Sequence, residues 1–206
     1  MTAGAMDETI AYYDAHAREY AEETLKADLS GLLEMFIGYL PGPDGCGEIL
    51  ELGCGAGRDA REMMSRGYEV DMTDGSAEMC RIASEYTGHT ARQMLFSELE
   101  EKERYDGIWA CSSLLHVPKA EIGDILDRCR DALTPGGVMF MCFKLGDFEG
   151  ERSGRHYSDW ELDEVQSLIS GMDGMEEADI FVTEDSFAGR DTLRWLNIFT
   201  RKITTP

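Results

Sequence analysis

Positive charge is scarce in this chain: 19 lysines and arginines face 41 aspartates and glutamates, a formal charge of -22 over 206 residues. Such an excess repels phosphate backbones at long range and argues against tRNA, rRNA or DNA as a partner, short of a local basic groove. The five lysines, Lys26, Lys102, Lys119, Lys144 and Lys202, are dispersed. Long apolar runs are lacking too. None reaches the length needed to cross a bilayer, and no basic-plus-apolar signal precedes the first helix, so a cytoplasmic protein free of membrane is expected. The six cysteines, at 46, 54, 80, 111, 129 and 142, form no C-x-x-C pair and no Cys/His spacing suited to zinc. Reduced thiols and no metal are the expectation. Internal repeats and low-complexity tracts are missing as well, and the length suits one domain with a buried core.

What is present is an alternation of strands and helices, the pattern of a doubly wound α/β sheet. Strands are predicted over Ile49–Leu52, Tyr68–Thr73, Thr90–Leu95, Tyr105–Cys111 and Val138–Lys144, and helices over Arg58–Arg66, Ala77–Tyr86 and Lys119–Leu133. A further helix over Ser158–Ser170 leads into two last strands, Glu177–Thr183 and Thr192–Thr200, joined by a Gly189-Arg190 turn. Cys54, Cys111 and Cys142 fall in or just beyond strands, where a thiol is usually a small apolar filler.

The sharpest signal is Glu48-Ile-Leu-Glu-Leu-Gly-Cys-Gly-Ala-Gly-Arg-Asp59, a short apolar strand followed by three alternating glycines and a helical sequence. Without Cβ atoms, Gly53, Gly55 and Gly57 let the turn take positive φ and leave room for a ligand against the main chain. NAD-binding domains open in a related way. Three further features bear on the choice: Glu51 two residues ahead of Gly53, Val70-Asp71-Met72-Thr73-Asp74-Gly75-Ser76 as a second strand ending in Asp-x-Ser, and Leu133-Thr-Pro-Gly-Gly137 after a later helix. An acid about 20 residues beyond the glycines lies at the tip of the neighbouring strand, where its carboxylate can accept from two vicinal ribose hydroxyls. Asp74 is expected to do this and also to start a turn in which Ser76 caps the next helix. Asp71 is the weaker competitor.

This set of motifs resembles the class I S-adenosylmethionine-dependent methyltransferases, from about Ile10 to the C-terminus. Gly53-Cys-Gly-x-Gly-Arg-Asp59 and Ser113-Leu-Leu-His-Val-Pro118 look most like the tellurite-resistance and related small-molecule group. The resemblance implies a seven-stranded, mostly parallel Rossmann-like sheet with an antiparallel final strand, as one domain over 1–206. In it an N-terminal helical lid over 1–40 precedes a cofactor-binding core over 46–206. It implies S-adenosylmethionine as cofactor, S-adenosylhomocysteine as product and in-line displacement onto a small-molecule acceptor. The cofactor residues it points to are Tyr20, Gly53, Cys54, Gly55, Arg58, Asp74, Gly75, Met94, Leu95 and Cys111. Met94 and Leu95 would lie beside the adenine, with Ser97 where an acid is often found.

Four further readings join residues to this frame. Tyr13, Ala17, Tyr20 and Thr24 recur at helical spacing, as in the Tyr-Asp-x-x-Ala-x-x-Tyr lid helix of small-molecule methyltransferases; Tyr20 is preferred over Tyr13 as a partner for the methionine carboxylate. Arg58 opens a helix, where a cation is unfavourable against the dipole, so an anion should stand nearby: the cofactor carboxylate, Glu51 or Asp59. His116 is the candidate general base, with loop positioning as its alternative. Arg152 and Arg155, with Tyr157, follow the fifth strand in a polar, Gly-rich loop and could select an anionic substrate through their planar forks, or merely pair with Glu149, Glu151 or Asp159. Trp195 is expected in the core. Two rival functions remain: a cofactor-binding protein without turnover, and an NAD-dependent oxidoreductase.

Overall fold

A computed structural model describes residues 3–45, 47–187 and 192–204; Cys46 and the Gly189-Arg190 turn lie outside them. The strands β1 (Ile49–Leu52), β2 (Val70–Asp74), β3 (Arg92–Gln93), β4 (Tyr105–Ala110), β5 (Leu133–Lys144), β8 (Met175–Glu184) and β9 (Arg194–Lys202) form one sheet in the order β3-β2-β1-β4-β5-β9-β8. All are parallel except β9, which runs against both of its neighbours. Because the order reverses at β1 and β4, a crevice opens at their carboxyl ends.

Helices α1 (Ala3–Thr24), α2 (Ser30–Tyr39), α3 (Arg58–Ser65), α4 (Ala77–Thr87), α5 (Ile122–Ala132) and α6 (Leu162–Ser170) cover the sheet. None of the described helices is long and apolar enough to cross a membrane. In α4 the Ser76 hydroxyl accepts from the Met79 amide at 3.1 Å, the cap expected from the sequence. One core layer is built on stacked rings: Trp109 lies 4.2 Å from Phe140, which is 4.9 Å from Phe199. The indole of Trp109 donates to Asp59 at 2.9 Å, so its buried N–H is satisfied. Helix α2 buries Leu33 and Phe36 in this same layer. Of the N-terminal 1–40 segment, then, α2 is packed into the core and α1 supplies most of the cover over the crevice.

Several element boundaries depart from expectation. The third strand shrinks from Thr90–Leu95 to two residues, because a 3-10 turn at Phe96–Glu98 folds the chain inward and the Glu98 carboxylate takes the Leu95 amide at 2.8 Å. The fifth strand starts earlier, at Leu133, which pairs with Tyr105 before the register shifts. The supposed loop after it is a hairpin, β6 (Glu149–Arg152) and β7 (Arg155–Ser158), turned by Ser153 and Gly154 at φ 56° and 79°. Two central residues at positive φ match the twist of the flanking strands. Ser158 therefore ends a strand rather than starting a helix; its buried hydroxyl donates to the Val117 carbonyl at 2.8 Å, and α6 begins four residues later.

Candidate active site

A cavity of about 790 Å³ opens at the carboxyl ends of β1, β2, β4 and β5 beneath α1. One end is shaped by the glycine turn. At Gly53, φ +84°, an added Cβ would lie 2.4 Å from the Cβ of Ser113, so this glycine allows two strand ends to approach. At Gly55, φ +53°, a Cβ would meet only Met79 Cε at 3.9 Å and would otherwise project into open space. Asp74 ties this turn to β2: its Oδ2 accepts the Gly55 amide at 2.9 Å and its Oδ1 the Ser76 amide at 2.9 Å. Burial raises the Asp74 pKa, and the two amides pull it back toward the charged form. Asp71 is committed elsewhere, to Arg92 at 2.8 Å and the Tyr105 hydroxyl at 2.8 Å.

Arg58 finds its anion in its neighbour. Its Nε and Nη2 donate to the two oxygens of Asp59 at 2.7 and 2.9 Å, and Nη1 donates to the Thr24 carbonyl at 2.9 Å. Asp59 thus serves Arg58 and Trp109 together, while Arg58 links α3 to the end of α1. Beside it Glu51 is buried in the cavity wall with Oε2 unpartnered among the described residues. Burial, reinforced by Asp59 and Asp74, pushes its pKa well up. Cys54 and Cys111 also line the wall; burial pushes the Cys54 thiol well above its ordinary value, consistent with an inert filler.

Helix α1 is fastened over the cavity at three points. Asp14 accepts from the Ser76 hydroxyl at 2.5 Å and the Glu78 amide at 3.2 Å, at the positive end of α4. Thr9 accepts the His156 amide at 3.0 Å. The Tyr13 hydroxyl donates to His116 Nε2 at 2.8 Å, while His116 Nδ1 donates to the His156 carbonyl at 2.6 Å. The carbonyl places a proton on Nδ1, so the neutral ring is the δ-tautomer. Burial, helped by the nearby Arg155 and Lys144 charges, lowers the His116 pKa to about 3. Tyr20 packs edge-on to Tyr13 at 5.0 Å, and its burial raises its pKa to about 12.

At the other end, Tyr157 is surrounded by cations: Lys144 Nζ is 4.0 Å, Arg152 Cζ 5.3 Å and Arg155 Cζ 5.3 Å from its ring centre. Arg152 is paired with Asp159 at 2.9 Å, one of the bland partners anticipated for it. Trp195 is not wholly core. It is half-buried in the cavity wall, with its indole donating to Asp185 at 2.9 Å.

The cavity brings together every site residue named from the sequence: Tyr20, Gly53, Cys54, Gly55, Arg58, Asp74, Gly75, Met94, Leu95, Cys111, His116, Arg152, Arg155 and Tyr157. Sequence reasoning passed over Glu51 as a site residue, although it stood in the motif, and Lys144, named only among the dispersed lysines and as the end of the fifth strand. It also missed the wall from Thr183 to Phe187, for which no motif gives a signal.

Residues 49–137 match the family model of the methyltransferase domain. Among curated proteins, the chain is 28% identical over 123 residues to the N-terminal Xaa-Pro-Lys N-methyltransferase 1 of Danio rerio, covering 54% of this chain and 55% of that protein. It is 32% identical over 96 residues to the ubiquinone biosynthesis O-methyltransferase of Bradyrhizobium sp., 44% of this chain and 37% of that one. The chain therefore spans about half or less of the length of these relatives. The solved 1,6-didemethyltoxoflavin-N1-methyltransferase of Burkholderia thailandensis matches 98% of this chain and 88% of its own, with a TM-score of 0.75 at 18% identity. Residues 49–137 are thus similar to a methyltransferase domain, and the chain has the Rossmann-like class I methyltransferase fold.

Proposed function

We propose that the protein is an S-adenosylmethionine-dependent methyltransferase acting on a small-molecule acceptor. The observation that carries this reading is the convergence of the glycine turn and Asp74 on one end of a single cavity, with a separate, ring-lined end beyond it. At about 790 Å³ the cavity lies toward the upper part of the roughly 300–1,000 Å³ range of small-molecule sites, which suits two ligands side by side.

The residues fit the cofactor. Each Asp74 oxygen takes one amide and keeps a lone pair for a ribose hydroxyl. The unpartnered Oε2 of Glu51 would be satisfied by a donor such as the ammonium of the methionine moiety. The open space above Gly55 would be filled by a Cβ, and Met94, Leu95 and Phe96 offer an apolar wall for adenine. When bound, S-adenosylmethionine supplies an electrophilic methyl group. The chain's part is to hold, orient and exclude water, with α1 as the cover. His116, neutral and capped by Tyr13, is better suited to fasten that cover than to take a proton; a base with a pKa of about 3 has little drive at neutral pH.

The motifs Gly53–Asp59 and Ser113–Pro118 support a place near the tellurite-resistance group, and the five described free thiols suit a reducing, cytoplasmic compartment. Calorimetry with S-adenosylhomocysteine, followed by acceptor-dependent release of S-adenosylhomocysteine from S-adenosylmethionine, tests the function. Binding without turnover across acceptors would favour a non-catalytic cofactor protein. Nicotinamide binding in place of S-adenosylhomocysteine would favour an oxidoreductase, which the final reversed hairpin argues against.

A further inference from the structure

Cations are few in this chain, yet two of them close on the ring-lined end of the cavity. Arg155 and Lys144 both face Tyr157, and both charges act on His116. Arg155 also lies 4.4 Å over Tyr12 and 5.6 Å over Tyr13, and its Nη1 is 3.5 Å from the Tyr13 hydroxyl. Its neighbours are phenols, and burial holds the Tyr157 pKa at about 12 and that of Tyr13 well above its ordinary value. These rings and hydroxyls favour the guanidinium without supplying it a carboxylate partner. Arg155 Nε is buried without a partner among the described residues. Arg152, three residues earlier, has its carboxylate in Asp159; the groups acting on Arg155 are burial, which opposes its charge, and the three tyrosines. A half-buried guanidinium of this kind favours an incoming anion.

The place of the pair in the sheet says which ligand that anion belongs to. Asp74 ends β2, whereas Lys144 ends β5, three strand spacings away, or roughly 14 Å. Arg155 hangs from the hairpin that follows β5. Both cations thus stand beyond the glycine turn, on the β4–β5 side. Tyr12, Tyr13, Tyr157 and Trp195 are among the residues that line this end, and a planar guanidinium fork matches a planar carboxylate.

We propose that Arg155 and Lys144 recognise the carboxylate of a flat aromatic acid, and that this acid is the methyl acceptor. The second half rests on the methyltransferase reading above. The recognition half is tested by titrating benzoate, and its neutral isostere benzamide, into the full chain saturated with S-adenosylhomocysteine. Benzoate should bind at least about tenfold more tightly than benzamide or inorganic phosphate, the lower range for a hydrogen bond to a charged group. Arg155→Ala should remove that preference while leaving S-adenosylhomocysteine affinity within about twofold, and Arg155→Lys should restore part of it, which a misfolded variant would not. Equal binding of benzoate and benzamide, or preference for phosphate, overturns the proposal. So does a fall in S-adenosylhomocysteine affinity in Arg155→Ala, which would assign the cation to the cofactor carboxylate. Failure of the unaltered protein to bind S-adenosylhomocysteine at all would instead sink the methyltransferase reading.

Discussion

Replacing His116 with Asn should make the protein less stable at neutral pH and, relative to the unaltered chain, less sensitive to acid. The ring is 6% exposed and held between the Tyr13 hydroxyl and the His156 carbonyl, contacts that the neutral δ-tautomer makes together. Its folded pKa of about 3 lies below the roughly 6.5 of an unfolded histidine. Protons therefore bind the unfolded chain more readily, so the stability this group contributes is present above pH 6.5 and is lost as pH falls toward 3. Within that window the loss approaches about 1.4 kcal/mol per pH unit and comes to about 2.7 kcal/mol between pH 7.5 and 4.5. Asn takes up no proton. It forfeits the two hydrogen bonds, at about 1–3 kcal/mol, so the variant's deficit should be of that size at pH 7.5 and should close by about 2.7 kcal/mol at pH 4.5. The raised pKa values of Glu51 and Asp74 act in the opposite sense, stabilising at acid pH and losing that contribution as pH rises, but both groups are present in the two proteins and largely cancel in the difference. Urea unfolding at half-unit pH steps measures the deficit directly. A deficit that stays constant from pH 7.5 to 4.5 would refute a buried, neutral His116 with a depressed pKa.

The two glycines that shape the turn should fail in different ways. Both glycines lie at positive φ and lose stability on gaining a Cβ, but Gly53→Ala also drives it into Ser113 and should cost about 1–3 kcal/mol in a thermal melt, whereas Gly55→Ala meets open space, should cost less and should weaken S-adenosylhomocysteine binding. Equal melting losses for both, with unchanged affinity at Gly55, would undo the distinction. Asp74→Ala should lower S-adenosylhomocysteine affinity by about 1.5–3 kcal/mol in calorimetry; unchanged affinity in a folded variant removes Asp74 from the ribose. Tyr13→Phe deletes the hydroxyl between His116 and Arg155 and should increase amide exchange along α1, while unchanged exchange there would mean that the hydroxyl does not fasten the helix.

How much of this was legible in the sequence follows from how local each constraint is. Gly53, Gly55 and Asp74 were readable because a turn between a strand and a helix restricts backbone angles and reach within some 20 residues. Ser153-Gly154 was equally local and was missed only because the polar residues around it resembled a loop; a two-residue turn between alternating side chains was the available signal. Arg58 was different in kind. Its cost at a helix start was legible, but the choice among three anions was not, because Asp59 is held by Trp109 from 50 residues away. The same holds for His116 and Arg155. Both residue types suggested chemistry, yet what each does depends on charge balance in the folded cavity: His116 is kept neutral by burial and two cations, and Arg155 is set apart from Arg152 by where Asp159 points. Sequence spacing therefore locates the cavity, while the assignment of charge within it is made by contacts that only the complete fold creates.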